Sequence, residues 1–466
     1  MNDISFCTLT ELRRRLGRGE LTSVDITRSY LERIRRLDPR AHAYAAVYEE
    51  SAMLQAEAAD LQRKSRLPLP PLHGLPVAVK DLCEINGQIT TYGSAAFRGH
   101  RSTVTSAVIE RLSAAGMILL GKTHTAEFAY SGWGINPLMG TPRNPWDWTG
   151  EHRVPGGSSN GSGVAVAAGL APAAIGTDTG GSVRIPAAFN GLTGLKTTYG
   201  LISAYGTLPL SASLDSVGVL TRSAEDAAML TQPLAGFDAR DSGMHDRPQY
   251  AIDLDDAPPV RGLRIAVIGP TQYSWPLTDD VQRATDQTMR VLASLGATVE
   301  HAEVPIDFAE LARNTGTLIA AEAYRHHRAY IEDNERPIGD ACRERVLKGK
   351  AVSAEALLAT LEHRRRTIAA FNHWMRAYDL LLTPTLPFVA PPLAEVDETL
   401  TSPMAFTRAV NYLSTCAITM PSGFSEDGLP IGAQLVAKPW QENLLLRTAH
   451  EFQQVTDWHM RAPQIS

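Results

Sequence analysis

Hydrophobic and polar positions change period several times along this chain, and each change predicts an element. Ile26, Tyr30, Leu31, Ile34 and Leu37 recur at helical spacing behind Thr22 and Asp25, which stand at the separation of a capping box. Asp38-Pro39 should stop that helix, because the residue before a proline disfavours helical backbone angles. A second, more polar helix is expected over 46–64, ended by the proline-rich LPLPPLHGLP. VAV at 77–79 then reads as a short buried strand with Lys80 and Asp81 at its end. TSAVIERLSAAG closing on Gly116, MILL, VAVAAGLA and AAIGT continue the exchange of helix for strand. Residues 236–262 look like a connector rich in turn formers. LRIAVIG, TDDVQRATDQTMRVLASLG and ATVEHAEV follow as strand, helix and strand, and 307–379 is helical and strongly charged. LLLTPT at 380–385 and GLPIGAQLVA at 428–437 read as strands ahead of a final helix. Such alternation predicts an α/β fold around a sheet with helices on both faces. Charged residues thin out between 154 and 220, where glycines are dense, so this block is the expected buried heart.

Composition removes whole classes of function. With 44 basic and 50 acidic residues in 466, the net charge of −6 disfavours an extended nucleic-acid surface. The opening MNDISFCTLTELRRRL has no apolar signal region, and the least polar long stretch, GVAVAAGLAPAAIG at 163–176, is too short to span a bilayer. Cys7, Cys83, Cys342 and Cys416 are scattered without metal-ligand spacing and read as reduced thiols of a cytoplasmic protein.

Candidate chemistry begins at TDTGGSVRIP, 177–186, where two glycines bring backbone N–H groups against Ser182. A serine hydroxyl needs a base, yet no histidine lies between His152 and His245, so the base is of another type. Two motif matches compete. GMILLGKT, 116–123, fits a phosphate-binding loop with Lys122, but its variable positions read as strand where such a loop must turn back on itself. GSSNG, 157–161, fits a nucleophile elbow at Ser159, but polar, turn-like sequence precedes it where the elbow needs a strand.

A third constellation joins Lys80, Ser158 in PGGSSNGSG and Ser182 in DTGGS. Here the chain resembles the amidase signature family. The resemblance rests on residues 155–186, on GLPVAVKDL at 74–82, and on GKTHTAEFAYS, RNP, SLDSVGVLTRSAEDAA, LLTPT and GLPIGAQLV, and so spans nearly the whole chain. It implies a single domain over 1–466 with a mixed central β-sheet, its core signature at about 74–228 and a more variable portion at about 262–400. It also implies that Ser182 forms an acyl-enzyme, that Ser158 bridges, and that Lys80 is the general base. A cis peptide before Ser158 is implied, with an oxyanion hole at Thr179, Gly180 and Gly181 and with Asp178 and Arg184 supporting that loop. A lysine accepts a proton at neutral pH only if burial destabilises its ammonium form, and the apolar Val77, Ala78 and Val79 suit that. A serine hydroxyl can accept one hydrogen bond and donate another, so Ser158 can relay the proton.

Tyr130, Trp133 and Ile135 fall in the segment near the family's acyl pocket, suggesting an apolar or aryl acyl group. The expected activity is therefore hydrolysis of a small carboxamide, with no metal and no organic cofactor. The rival within the family is the glutaminase subunit of a tRNA-dependent amidotransferase. Arg345 resembles its glutamine-binding position, but Gln441 stands where an acidic residue is expected, and Asn160 and Ile185 replace a glycine and a glutamine of the commoner signature. A serine esterase built on Ser159 is the remaining alternative. The expected partner is a small-molecule amide, without nucleic acid or membrane, and homodimerisation is left open.

Overall fold

The computed structural model describes residues 4–244, 251–398 and 402–465. An eleven-stranded sheet runs through it. In chain order the strands are β1 Tyr44–Val47, β2 Pro76–Lys80, β3 Ile118–Thr123, β4 Ala173–Asp178, β5 Thr193–Lys196, β6 Ser216–Thr221, β7 Arg264–Ile268, β8 Thr298–Ala302, β9 Leu380–Pro384, β10 Cys416–Phe424 and β11 Pro430–Ala437. Their spatial order is β1-β3-β2-β4-β6-β5-β10-β11-β9-β7-β8. β2 runs parallel to β3 and β4, and β7 to β8 and β9, while the other neighbours are antiparallel. The sheet is therefore mixed and the fold α/β. Parallel neighbours need a crossover, and the helices Ala107–Ala114 and Asp279–Ser294 supply it between β2 and β3 and between β7 and β8.

Every residue of β2, β3, β4, β6 and β9 is buried, which is why these strands read as apolar runs instead of alternating. Within the low-charge block every residue from 154 to 198 is buried, whereas 199–200 and 204–209 are half-buried and Ala212 is exposed. The helix Asn160–Ala167 is made of small residues because the backbone behind it is so close. A Cβ on Gly161 would lie 2.3 Å from the Ala43 carbonyl oxygen.

Several expectations shift. The capping box forms, with Thr22 accepting from Asp25 N–H and Asp25 from Thr22 N–H, but the helix runs from Ser23 to Ala41 and carries Pro39 inside its last turn. A proline there forfeits a single backbone bond. The chain turns instead at His42 (φ 52°), where the Asp38 carboxylate accepts the N–H groups of Ala43 and Tyr44 at 2.7 and 3.3 Å. The polar helix is Glu49–Lys64, because the residues just before it form β1 against β3. Strand β10 was not anticipated. Thr419, Pro421 and Ser422 interrupt its apolar pattern, yet it lies buried between β5 and β11. Residues 245–250 of the connector lie outside the described residues. Among the described residues no helix is long and apolar enough to cross a membrane.

The phosphate-loop match resolves against its motif. Gly121, Lys122 and Thr123 belong to β3, and Lys122 is fully buried in an ion pair with Asp81 at 3.2 Å and a hydrogen bond to Thr90. Replacing Lys122 with Met leaves Asp81 buried without its cation. Denaturant unfolding should then show a loss of about 3–5 kcal/mol, and added ATP should leave the wild-type midpoint unmoved.

Candidate active site

Lys80 ends β2 beside β4, with Ala78 opposite Ala174 and Val79 opposite Ile175. That register carries the side chain to Thr177 and to Ser158 just ahead of the helix Asn160–Ala167. Its Nζ lies 2.7 Å from Ser158 Oγ and 2.8 Å from Thr177 Oγ1. The lysine is 0% exposed and forms no ion pair among the described residues. Burial pushes its amine down to about 7, opposed only in part by attraction to Cys83, Asp178 and Asp215. An amine in this state can accept a proton from a hydroxyl.

Ser158 is held by its backbone. Its carbonyl accepts the Ala126 N–H and the Thr125 hydroxyl, both at 3.1 Å, and the Gly157–Ser158 peptide is cis. Gly157 has no room for a side chain, since a Cβ would lie 2.5 Å from the Ser131 carbonyl oxygen. Ser182 is tied to the same segment through its carbonyl, which accepts the Ser159 N–H at 3.2 Å. The Ser182 hydroxyl has no protein partner among the described residues, and the residue lines a cavity of about 300 Å³ together with Thr179 and Gly180. Ser159 does not resemble an elbow nucleophile. It is fully buried, and its hydroxyl lies 3.3 Å from both the N and the O of Thr177.

The loop between β4 and Ser182 hangs on a buried ion pair. Arg184 holds Asp178 with two contacts, Nε to Oδ2 at 3.0 Å and Nη2 to Oδ1 at 2.8 Å. Its remaining donors reach the Thr407 carbonyl, Gln434 and Asn411 at 3.0, 2.6 and 2.7 Å. Burial alone would raise the Asp178 carboxyl, but the charge and hydrogen bonds of Arg184 reverse this and hold it well below the usual carboxylate range. Asp178 also accepts the N–H groups of Gly181 at 2.8 Å and Val183 at 3.2 Å. The three expected oxyanion donors differ in what they meet. The Gly181 N–H is committed to Asp178, whereas those of Thr179, Gly180 and Ser182 have no protein acceptor among the described residues. Gly181 remains necessary for space, because a Cβ there would lie 2.4 Å from Thr407 Oγ1 at a φ of 129°.

Asp215 braces the loop from below. It accepts the Thr179 hydroxyl and the N–H groups of Leu210 and Ser211, and burial pushes its carboxyl up to about 7 despite those bonds. A second cavity of about 420 Å³ touches Thr177, Thr179 and Asp215 and shares Ala129, Thr179 and Leu210 with the first.

Tyr130 and Trp133 line the Ser182 cavity, and Trp133 also stacks on Phe388 at 5.7 Å between centroids. Ile135 does not line it. It packs into the apolar cluster of Val154, Ile185 and Phe189 behind Trp133, because the chain turns away at Gly134 (φ 80°). Arg345 is in the cavity wall, donating to the Tyr130 carbonyl at 2.9 Å and paired with Glu398. Glu398 also accepts the Ser131 hydroxyl at 2.9 Å. Gln441 is exposed at the start of the helix Glu442–Gln454 and is absent from the lining, so the acidic group beside Arg345 is Glu398. Sequence reasoning passed over Thr177, Ser131, Asp215, Glu398 and Arg408. Thr177 and Asp215 sit inside stretches already singled out, TDTGGS and SLDSVG, whereas Glu398 lies 53 residues from Arg345 with no motif joining them.

A mixed sheet carrying a buried lysine–serine pair beneath a glycine-rich serine loop is the setting in which the likeness to known proteins falls. The Amidase family model matches residues 25–446. The chain belongs to that family, and is an enzyme of amide C–N bond chemistry. It is 36% identical over 497 residues to the A subunit of glutamyl-tRNA(Gln) amidotransferase from Chloroflexus aggregans, covering 100% of both chains. Among solved structures it is similar to the corresponding amidotransferase chain from Thermotoga maritima (TM-score 0.83, 29% identity, 100% and 99% covered). It is also similar to a chain from a vestigial protein complex described as revealing the evolutionary origins of an s-triazine catabolic enzyme (TM-score 0.89, 30% identity, 96% and 98% covered).

Arg184→Met would strand Asp178 as an uncompensated buried charge. Stability should fall by about 3–5 kcal/mol in denaturant unfolding, with faster proteolysis at the 178–184 loop than in wild type.

Proposed function

We propose that this enzyme hydrolyses a carboxamide through an acyl-enzyme on Ser182, with Ser158 as the bridge and Lys80 as the base. The observation that carries this reading is the 2.7 Å contact between a buried, unpaired Lys80 amine and Ser158 under the Ser182 loop. In the first step Ser182 Oγ adds to the amide carbon as its proton passes to Ser158, whose own proton passes to Lys80. The oxyanion meets the N–H groups of Thr179, Gly180 and Ser182. Collapse expels the amine, which takes the proton back along the relay, and water then resolves the ester by the same path. Hydrogen bonds of this kind lengthen in a free enzyme and tighten on substrate, which suits a Ser182 hydroxyl without a protein partner.

For the substrate, the relatives favour glutamine as ammonia donor over the free-standing carboxamide hydrolase expected from sequence. That expectation leaned on Gln441, Asn160 and Ile185; Gln441 lies outside the cavity, while an acidic group, Glu398, stands in it beside Arg345. An amidotransferase role would require partner subunits and a cytoplasmic setting. The aromatic wall of Tyr130, Trp133 and Trp275 keeps an aryl or apolar acyl group as a second reading.

Ser182→Ala and Lys80→Ala should each lower ammonia release by at least about 10³-fold, and Ser158→Ala should leave more residual activity. Wild-type rates in these variants would overturn the relay. Because Lys80 must be uncharged to accept a proton, kcat/KM should fall with unit slope as pH drops below about 7. Ammonia release from glutamine against benzamide, with and without added partner subunits, separates the two substrate readings.

A further inference from the structure

The Ser182 cavity holds a cation that the proposed chemistry does not use. Among the described residues its ionisable lining side chains are Arg345, Glu398, Arg408 and Tyr130, of which the first three are guanidinium or carboxylate groups. Arg345 and Glu398 neutralise each other, which leaves the cavity one positive charge in excess. Arg408 begins the short helix Arg408–Tyr412. Its Nε is buried without a hydrogen-bond acceptor, and one Nη makes a single long contact, 3.5 Å, to the Ala312 carbonyl. It forms no ion pair among the described residues. Burial lowers its pKa, and nearby Arg345 adds to that effect, while Tyr130 acts against it. A half-buried guanidinium with its Nε unmet is stabilised by an anion that arrives to meet it.

The position of that guanidinium is informative. A Cβ on Gly180 would lie 3.3 Å from Arg408 Cγ and 3.9 Å from its Nε, so the head group sits beside the loop that carries Ser182. Thr407, one residue earlier, donates to the Gly180 carbonyl at 2.7 Å and fixes that relation. A planar guanidinium that lines the cavity and carries an unmet donor matches a carboxylate in shape as well as in charge.

We propose that Arg408 receives a carboxylate borne by the acyl part of the substrate, so that the enzyme selects carboxamides of short dicarboxylic or amino acids over neutral amides. This rests on the amide-hydrolase reading and narrows its substrate class. Arg408 is a specificity residue here, and the Ser182 relay does not depend on it. Glutamine, with its free carboxylate, belongs to the selected class, and so does the monoamide glutaramate. Benzamide and the diamide glutaramide do not.

The test compares ammonia release from glutaramate, glutamine and glutaramide by the wild-type chain, Arg408→Gln and Arg408→Lys. Glutaramate and glutaramide differ by one carboxylate replaced with a carboxamide of the same shape. The wild type should prefer glutaramate. Arg408→Gln should lower the ratio of kcat/KM between the two by about 10- to 100-fold, mostly through KM, the range expected for a lost charged hydrogen bond. Arg408→Lys should restore part of the ratio. Equal kcat/KM for the two amides in wild type, or an unchanged ratio in Arg408→Gln, would overturn the proposal while leaving amide hydrolysis intact. A binding arm is independent of turnover. Calorimetry of glutarate with the Ser182→Ala chain should show binding that weakens at least about tenfold when Arg408→Gln is added. Equal binding by both chains would also overturn it. If no amide releases ammonia but glutarate binding depends on Arg408, the hydrolase reading fails and the anion site stands.

Discussion

Burying an amine without giving it a carboxylate is the constraint on which this site depends. Lys80 is wholly enclosed, and the groups in contact with its Nζ are two hydroxyls, from Ser158 and Thr177. A carboxylate at that distance would hold the ammonium form. Two other fully buried lysines show what the site avoids. Lys122 pairs with Asp81, and Lys196 donates to the Thr197 and Thr415 carbonyls while Asp178 partly offsets the effect of its burial. Hydroxyls can serve an uncharged amine either as donors or as acceptors, so they leave its protonation state free to change.

The second requirement is a braced loop around Ser182. Asp178 and Arg184 are both completely buried, an arrangement that is stable only because every strong donor of the guanidinium is met. Asp178 spends two of its acceptor positions on the Gly181 and Val183 N–H groups, which fixes the course of the chain around Ser182. Asp215 holds Thr179, at the start of this loop, through its hydroxyl. Glycine at 157 and 181 follows from this crowding, since side chains there would enter occupied space. The donors left free at Thr179, Gly180 and Ser182 are those the bracing bonds do not consume.

Charge in the cavity lies apart from the buried lysine. The Lys80 amine contacts only hydroxyls among the described residues, whereas the Arg345–Glu398 pair and Arg408 line the cavity with Tyr130 and Trp133. Enzymes of one fold can keep the first arrangement and vary the second. This is consistent with a chain that matches a glutamyl-tRNA(Gln) amidotransferase chain over its full length and also resembles a chain from the vestigial complex.

Much of this was legible in the sequence, for reasons that are local. Strands buried on both sides announce themselves as apolar runs, which is how β2, β4 and β9 could be read. Thr22 and Asp25 form a cap because capping bonds span three residues. The glycine- and serine-rich stretch and the lysine segment were visible because the close backbone approach around Ser158 and Ser182 restricts which residues fit. Tertiary structure alone decided the rest. Pro39 could stay helical because long-range packing outweighs one lost bond, and β10 became a strand because β5 and β11 satisfy its backbone. Whether Lys122 met a phosphate or Asp81, which N–H groups near Ser182 stayed free, and that Glu398 rather than Gln441 faces Arg345 all depend on groups far apart in the chain. A sequence records residue types and their spacing. Electrostatic environment depends on distance and burial in space, and these exist only once the chain has folded.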